Sequence, residues 1–255
     1  MSKNVPESLS KFFQTHRRVA IAFSGGCDSS YLLYAARMCD AEFRAYTVET
    51  AFRSPVERKE SKEVCDLLGV YPTIIDADPL RYPEITANGE DRCYLCKKLI
   101  FNSIQRRARL DGFQDVCDAT NDTDDPTERP GMRALTELGV LSPLKEAGLD
   151  KAYIRLLSRD AGLPTWDSPS DSCLATRISA GVPITEESLR RTYDAETSLH
   201  KMGFKGIRAR TLPDGTCRLE ILDNQADFLK EHEGEVSDFL KGLYPSYTVS
   251  TRKAR

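Results

Sequence analysis

The sequence predicts a parallel, doubly wound α/β sheet followed by a small α+β domain in the C-terminal third. Over the first two-thirds of the chain, short apolar runs alternate with segments of helical period, the pattern of a parallel sheet covered by helices. Beyond that point the order changes to helix, strand, strand, helix, strand, which is typical of a small antiparallel sheet packed on helices. We therefore expect a first domain over residues 1–165 and a second over residues 166–255.

The individual elements follow from apolar runs, helical periods and turn residues. The predicted strands of the first domain cover residues 19–23, 43–48, 73–76 and 115–119. One predicted helix follows the first strand and its turn directly, and three others cover residues 55–68, 96–110 and 150–161. In the second domain we expect a helix over residues 186–202 and strands over residues 207–212, 218–222 and 247–250. Between the two domains, residues 164–183 are rich in Pro, Ser, Asp and Gly and predict a linker or a functional loop.

Composition excludes several classes of function. The 255-residue chain has a formal net charge of −3, so it lacks the strong positive field that gathers nucleic acid. No apolar stretch approaches the roughly 20 residues that a membrane span needs, and the first residues lack the apolar centre of a signal peptide. We expect a cytoplasmic protein whose eight cysteines are thiols, metal ligands or catalytic groups rather than a disulfide framework.

The strongest chemical signal is the hexapeptide Ser-Gly-Gly-Cys-Asp-Ser at residues 24–29, between the first strand and its helix. Backbone N–H groups and the positive end of a helix dipole at such a turn favour an anion. Gly25 and Gly26 allow the backbone to approach a phosphate closely, and Ser24 and Ser29 supply hydroxyl donors. Asp28 can orient the loop or bind Mg²⁺. The lysine-bearing phosphate loop Gly-x-x-x-x-Gly-Lys-Ser/Thr is absent, which argues against transfer of the γ-phosphoryl group.

The hexapeptide resembles the signature of the PP-loop ATP pyrophosphatases, whose fold is similar to that of the adenine nucleotide alpha hydrolases. The resemblance implies a five-stranded parallel sheet with helices on both faces. It also implies an adenylation reaction, in which a carboxylate or carbonyl oxygen attacks the α-phosphorus of ATP and Mg²⁺-pyrophosphate leaves. The protein then contributes positioning and neutralisation of charge.

Further motifs resemble the LarE family of ATP-dependent sulfurtransferases, which help to build a nickel-pincer nucleotide cofactor. The similar stretches are Asp-Arg-Cys-Tyr-Leu-Cys-Lys-Lys at 91–98, Asp-Ala-Thr-Asn-Asp-Thr-Asp-Asp at 118–125, Arg-Pro-Gly-Met-Arg-Ala at 129–134, Ser-Pro-Leu at 142–144, Gly-Leu-Pro-Thr-Trp at 162–166, Ser-Cys-Leu-Ala-Thr-Arg-Ile at 172–178 and Ile-Arg-Ala-Arg at 207–210. They cover nearly the whole chain. In that family one carboxylate of pyridinium-3,5-dicarboxylate mononucleotide is adenylated, and sulfur then displaces AMP to leave a thiocarboxylate.

The resemblance assigns roles to residues outside the phosphate loop. Asn121 and Asp124 are implied to bind ATP, and the family tends to form homo-oligomers. Residues implied to bind the substrate nucleotide near the site of sulfur transfer are Thr176, Arg177, Glu196, Asp227, Arg208 and Arg210. Spacing supports the last two independently, because residues two apart on a strand point to one face and can clamp an anion. The alternative for Arg208 and Arg210 is a solvated strand face. Glu196 could equally be a helix-surface charge, and Asp227 a carboxylate at the start of a helix.

The source of the sulfur has two candidate routes. Some family members carry a lone cysteine at the position of Cys173, which gives up its own sulfur and becomes dehydroalanine. Others also have cysteines at the positions of Cys93 and Cys96, and the three are thought to hold a [4Fe–4S] cluster with one open iron that binds a sulfide. This chain has all three. A zinc site with Cys117 or Cys217 as fourth ligand, or a redox pair of Cys93 and Cys96, are alternatives.

Two other functions stay open at this point. A PP-loop tRNA thiolase also combines an adenylating loop with a Cys-x-x-Cys and a further cysteine, but no RNA-binding appendage is evident in this sequence. A nucleotide or iron–sulfur sensor without catalysis could use the same scaffold, and it would release no pyrophosphate. The predicted site therefore comprises the phosphate loop, the three cysteines and the paired arginines, with ATP, Mg²⁺ and a [4Fe–4S] cluster as cofactors.

Overall fold

A computed structural model of the protein describes residues 5–125, 130–168 and 172–253. The chain divides into two compact units. The first consists of the residues up to Thr50, of Val56–Asp78 and of Asp91–Ser168. The second consists of Ala51–Pro55, Pro79–Glu90 and the residues after Ser168. Two short segments from the first half of the sequence are thus part of the second unit. The division into domains at 1–165 and 166–255 stays a prediction.

The helices and strands that position the site have the following bounds. The helices are α1 (Glu7–Thr15), α2 (Cys27–Met38), α3 (Pro55–Leu68), α4 (Pro83–Thr86), α5 (Arg92–Leu110), α6 (Met132–Glu137), α7 (Pro143–Glu146), α8 (Lys151–Asp160), α9 (Glu186–Lys201), α10 (Ala226–Glu231) and α11 (Glu233–Lys241). The strands are β1 (Arg18–Ala22), β2 (Glu42–Glu49), β3 (Thr73–Asp76), β4 (Asp115–Cys117), β5 (Arg208–Thr211), β6 (Cys217–Leu222) and β7 (Tyr247–Arg252). No helix in the described part of the chain has the length and apolar character needed to span a membrane.

The sheet of the first unit has the order β3-β2-β1-β4, and all its pairs are parallel. This confirms the predicted α/β class. The resemblance implies five strands, whereas this sheet has four among the described residues, and a single parallel bridge joins Leu141 to Cys117 of its edge strand. The chain leaves β1 to build β2 and β3 on one side and later adds β4 on the other. The strand order therefore reverses between β1 and β4, and ligands of open α/β sheets bind outside the carboxyl ends of the strands at such a point.

The core of the first unit explains why the sequence of β1 is a nearly continuous apolar run. Val19, Ala20 and Ile21 are all 0% exposed, because helices cover both faces of the sheet. Helix α2 is buried on nearly all sides, with Tyr31 and Leu32 each 0% exposed. A helix enclosed in this way holds its N-terminus rigidly at the end of β1.

The second unit contains a three-stranded sheet in the order β5-β6-β7. The predicted antiparallel pairing is correct for β5 and β6, which a tight turn joins, but wrong for β6 and β7, which are parallel. Helices α10 and α11 lie between β6 and β7 in the sequence, and a crossover of that length returns the chain in the same direction. The core of this unit packs Ala209, Leu219 and Leu199 together.

The start of α5 differs from the prediction in a way that matters for the cysteines. The predicted helix begins at Cys96, whereas α5 begins at Arg92. The N–H of Leu95 donates to the carbonyl of Asp91 at 2.9 Å and closes the first turn. Cys93 and Cys96 are therefore one turn apart on a single helix, and their side chains share a face.

Asn88 is a structural anchor of the second unit. It is buried, has a φ of +56°, and its Nδ2 donates to the carbonyls of Ile178 (3.3 Å), Ser179 (2.9 Å) and Val182 (2.9 Å).

We expect Asn88→Ala to lower the free energy of unfolding by about 2–4 kcal/mol, because buried carbonyls lose their donor and alanine is strained at positive φ. Urea denaturation measures this. The control is Asp40→Ala at an exposed residue with a φ of +52°, and an equal loss in both variants would contradict the explanation.

Candidate functional site

The phosphate loop links the end of β1 to α2 and is held together by Ser29. The Ser29 Oγ accepts hydrogen bonds from the N–H groups of Ser24 and Gly25, both at 3.3 Å, and donates to the carbonyl of Gly26 at 3.1 Å. Gly26 precedes the first residue of α2 and provides no side-chain cap, so first-turn N–H groups of the helix stay available to an anion. The loop thus has the form expected of a phosphate cradle.

Position 25 requires glycine for two reasons, its backbone conformation and the lack of space for a Cβ atom. Its φ is +96°, and a Cβ placed on it would lie 2.6 Å from the Cβ of Ser61 and 2.9 Å from the carbonyl oxygen of Glu57. Helix α3 therefore packs directly against the loop from one side. Gly26 has more room, since the nearest atom to its added Cβ is the Ser24 Oγ at 3.7 Å.

Asp28 is the charged centre of the loop. Its Oδ2 accepts from Lys151 Nζ at 2.7 Å and from Asn121 Nδ2 at 3.4 Å. Its Oδ1 is buried and has no hydrogen-bond partner among the described residues. A carboxylate oxygen left in this state is suited to a hard cation such as Mg²⁺, so the predicted role of Asp28 fits the geometry.

Lys151 was missed by the analysis of the sequence. It is the first residue of α8, and Asp150 caps that helix by accepting from the N–H of Tyr153 at 2.7 Å. The cap is visible in the sequence, but it says nothing about a loop 123 residues away. The sequence signal was indirect: a phosphate loop without a lysine needs a positive charge from another part of the chain to neutralise the phosphates.

Asn121 and Asp124 follow β4 and form a tight turn. Asp124 Oδ2 accepts from the N–H of Asn121 at 3.1 Å, and Asn121 Oδ1 accepts from the N–H of Thr123 at 3.0 Å. Because β4 lies beside β1 in parallel, this turn and the phosphate loop meet at the same edge of the sheet. Asn121 reaches Asp28, whereas Asp124 orders the turn. Residues 126–129, which follow, lie outside the described part of the chain.

Cys93 and Cys96 lie at the N-terminal end of α5 and are both partly buried. Arg92 Nη2 donates to Cys93 Sγ at 3.2 Å. A Cβ on Gly131 would lie 3.3 Å from the carbonyl oxygen of Cys93, so the chain before α6 packs closely on this turn. The two side chains lie one helical turn apart on one face, as paired ligands of a metal centre must.

Cys173 belongs to the second unit and directly precedes a 3₁₀ helix, Leu174–Arg177. Arg177 and Glu196, both predicted to bind substrate, form a buried ion pair with a separation of 2.7 Å between Nε and Oε1. Thr176 Oγ1 donates to the carbonyl of Cys173 at 2.7 Å. The structure thus brings three of the predicted residues around the cysteine, as parts of one network.

The paired arginines occupy the less buried face of β5, as their spacing predicts. Arg210 Nε lies 2.6 Å from Glu220 Oε1, and its Nη1 donates to the carbonyl of Thr176 at 2.7 Å. Asp227 lies on the exposed surface of α10. Its ion pair with Lys230 at 2.9 Å lowers the pKa of its carboxyl, an arrangement typical of a solvated helix face.

Three other cysteines are core thiols. Burial raises the pKa of Cys27, although a hydrogen bond with Ser158 opposes the shift. Burial raises the pKa of Cys117 well above its usual value and that of Cys217 to about 12. Neither of the last two is suited to be the fourth ligand of a zinc site.

In residues 5–125, 130–168 and 172–253, no group of three or more His, Cys, Asp or Glu side chains is arranged to hold a metal ion, so the predicted cluster stays a prediction.

The difference between the cysteines can be measured. We expect iodoacetamide at pH 8 to modify Cys93 and Cys96 at least about tenfold faster than Cys117 and Cys217, because only the thiolate reacts and a raised pKa removes it. Peptide mapping by mass spectrometry gives each rate. Unfolded protein in urea is the control, where the four rates should converge. Equal rates in the native protein would contradict the assignment.

The described fold and loop define the class: an α/β protein with a PP-loop-type nucleotide-binding core. No protein-family model matches the chain. It is 33% identical over 220 residues to the uncharacterized protein slr1717 of Synechocystis, covering 86% of this chain and 82% of that protein. The chain therefore belongs to the family of slr1717.

Two further relatives have names that state an activity. The pyridinium-3,5-bisthiocarboxylic acid mononucleotide synthase of Lactiplantibacillus plantarum, a LarE protein, is 28% identical over 216 residues, covering 84% of this chain and 78% of that protein. The argininosuccinate synthase of Natronomonas pharaonis is 26% identical over 159 residues, covering 58% of this chain and 40% of that protein. The chain is thus a homologue of LarE, and both relatives agree with a PP-loop core.

Proposed function

We propose that this protein is an ATP-dependent sulfurtransferase that converts a carboxylate of pyridinium-3,5-dicarboxylate mononucleotide into a thiocarboxylate. The product belongs to the synthesis of a nickel-pincer cofactor. The observation that carries the proposal is the phosphate loop at the switch point of the sheet, in a chain similar over most of its length to a pyridinium-3,5-bisthiocarboxylic acid mononucleotide synthase.

The first half-reaction is adenylation. A carboxylate oxygen of the substrate attacks the α-phosphorus of ATP, the bond from that phosphorus to the bridging oxygen breaks, and pyrophosphate leaves. The amides of the phosphate loop hold the phosphates, and the Ser24 hydroxyl supplies a further donor. Lys151 neutralises the charge that develops on the leaving pyrophosphate. Mg²⁺ bound at Asp28 would supply a second charge for the same purpose.

The second half-reaction replaces AMP by sulfur at the acyl carbon. Cys173 is the residue proposed to deliver it, while Arg208 and Arg210 bind the anionic groups of the nucleotide. In the sacrificial route, the Cys173 sulfur attacks the acyl carbon as AMP leaves. A base then removes the Cys173 Cα proton as the Cβ–S bond breaks, which releases the thiocarboxylate and leaves dehydroalanine.

The alternative source is sulfide delivered through a [4Fe–4S] cluster. Cys93 and Cys96 suit this role as thiolates one turn apart on α5, and Cys173 is the proposed third ligand. When bound, such a cluster would supply an iron without a protein ligand, where a sulfide can be held. Anaerobic purification should then give a brown protein with about four irons per chain. A colourless, iron-free protein that still transfers sulfur would exclude this route.

The test of the proposed function is an anaerobic incubation with ATP, Mg²⁺, sulfide and the dicarboxylated pyridinium nucleotide. We expect AMP and pyrophosphate together with a product heavier by the replacement of oxygen by sulfur, read by mass spectrometry. Omission of sulfide separates the routes, since product accompanied by loss of H₂S from the protein indicates sacrifice of Cys173. Release of ADP, or no affinity for Mg²⁺-ATP in a folded sample, would refute the proposal.

A further inference from the structure

The short segment that carries Cys173 is held from inside the second unit by Arg177. This side chain is 1% exposed. Its Nη1 donates to the carbonyl of Ser172 at 2.7 Å, to the Ser172 Oγ at 2.7 Å and to the Thr176 Oγ1 at 3.2 Å. One guanidinium edge therefore binds residues on both sides of Cys173.

The other edge of the guanidinium binds Glu196 in a two-point contact. Arg177 Nε donates to Glu196 Oε1 at 2.7 Å, and Nη2 donates to Oε2 at 3.1 Å. The same Oε1 accepts from the N–H of Ala209 at 3.0 Å. Ala209 lies between Arg208 and Arg210 on β5. Glu196 therefore connects the Cys173 segment to the strand that carries the paired arginines.

Both members of this pair are enclosed, which leaves them no access to a substrate. Glu196 is 2% exposed, and each of its oxygens already accepts from Arg177. A buried ion pair is not a favourable way to gain stability, because desolvation offsets the attraction between the charges. What the pair supplies is a fixed orientation of the Cys173 segment relative to β5, because a planar guanidinium and a carboxylate match in only a few orientations.

We propose that Arg177 and Glu196 are positioning residues that fix Cys173 relative to Arg208 and Arg210, and that they do not contact the substrate nucleotide. This inference rests on the proposed function only in giving Cys173 its role in sulfur delivery. Its structural content, that the pair controls the conformation at Cys173, can be tested without turnover.

The test compares the metal-free wild type with Arg177→Met/Glu196→Leu, in which apolar groups of similar size replace the pair. The matched control is Glu187→Gln, which breaks the exposed ion pair of Glu187 with Arg191 on the same helix α9. Iodoacetamide labelling with peptide mapping gives the rate at Cys173, and Cys93 in the first unit is the internal reference. We expect Cys173 to react about tenfold faster in the double variant, because its segment samples open conformations, with no change at Cys93.

Activity provides a second readout. We expect sulfur transfer in a single turnover to fall at least about 100-fold in the double variant, since a small misplacement of a reacting group has effects of this size. ATP-dependent release of pyrophosphate should stay within about twofold of wild type, because the phosphate loop belongs to the first unit and both substitutions lie in the second. Glu187→Gln should match wild type in both assays.

The possible outcomes are distinct. A folded double variant with the wild-type labelling rate at Cys173 would overturn the proposal. If the double variant does not fold, Glu196→Gln, which keeps the volume and an acceptor for Ala209 N–H, undergoes the same comparison with the same criterion. If the wild type itself makes no thiocarboxylate, the proposed function fails while the labelling rates still decide whether the pair positions Cys173.

Discussion

We expect Gly25→Ala to abolish ATP-dependent pyrophosphate release and to lower the free energy of unfolding by about 2–4 kcal/mol. The cost has two parts, each about 1–2 kcal/mol: alanine at a φ of +96° is strained, and its Cβ meets Ser61 and Glu57 at 2.6–2.9 Å. These contacts are with the Cβ of Ser61 and the backbone of Glu57, which cannot rotate away. Either the loop or α3 must shift, and a displaced loop no longer presents its amides to the phosphates.

Two other glycines separate the causes. Gly215 also has a positive φ, +82°, but a Cβ there has nothing within 4 Å, so Gly215→Ala measures strain alone and should cost about 1 kcal/mol. Gly26→Ala should keep wild-type stability, because its added Cβ has room, but should weaken Mg²⁺-ATP binding if a phosphate approaches this backbone closely. Urea denaturation and calorimetric titration measure the two quantities. Wild-type pyrophosphate release from Gly25→Ala would refute the assignment of the loop.

We expect Lys151→Ala to reduce the rate of pyrophosphate release by about 100-fold while the protein stays folded. The loop has no lysine of its own, and Lys151 Nζ is a cation that lies beside it, 2.7 Å from Asp28 Oδ2. Removal of one preorganised charge that stabilises a leaving group has an effect of about this size. Single-turnover measurement of pyrophosphate at saturating Mg²⁺-ATP reports the rate.

Two variants make the Lys151 result specific. Arg159→Ala removes another cation from α8, one that is exposed and paired with its neighbour Asp160, and its rate should stay within about twofold of wild type. Lys151→Arg should recover part of the lost rate because it keeps the charge but not the compact ammonium group. Equal rates for wild type and Lys151→Ala would show that Lys151 only pairs with Asp28.

Much of the fold could be predicted because its signals are local. A run such as residues 19–23 is apolar because both faces of its strand are buried, and the glycines and serines after it are what a phosphate loop needs. The same holds for the arginines two apart on β5, whose shared face follows from the period of a strand. Two predictions were wrong. Helix α5 begins four residues earlier than predicted, because a hydrogen bond closes its first turn at Asp91, and β7 pairs in parallel with β6, because a helical crossover connects them.

The sequence by itself determined the class of fold, the phosphate loop and the identity of the three candidate cysteines, because periodicity and turn chemistry depend on neighbouring residues. Only the tertiary structure decided which distant charges meet. It paired Lys151 with Asp28 and enclosed Arg177 with Glu196, and it assigned residues 51–55 and 79–90 to the second unit. The physical reason is that ion pairing and burial depend on separation in space, which the spacing of residues along a chain does not encode.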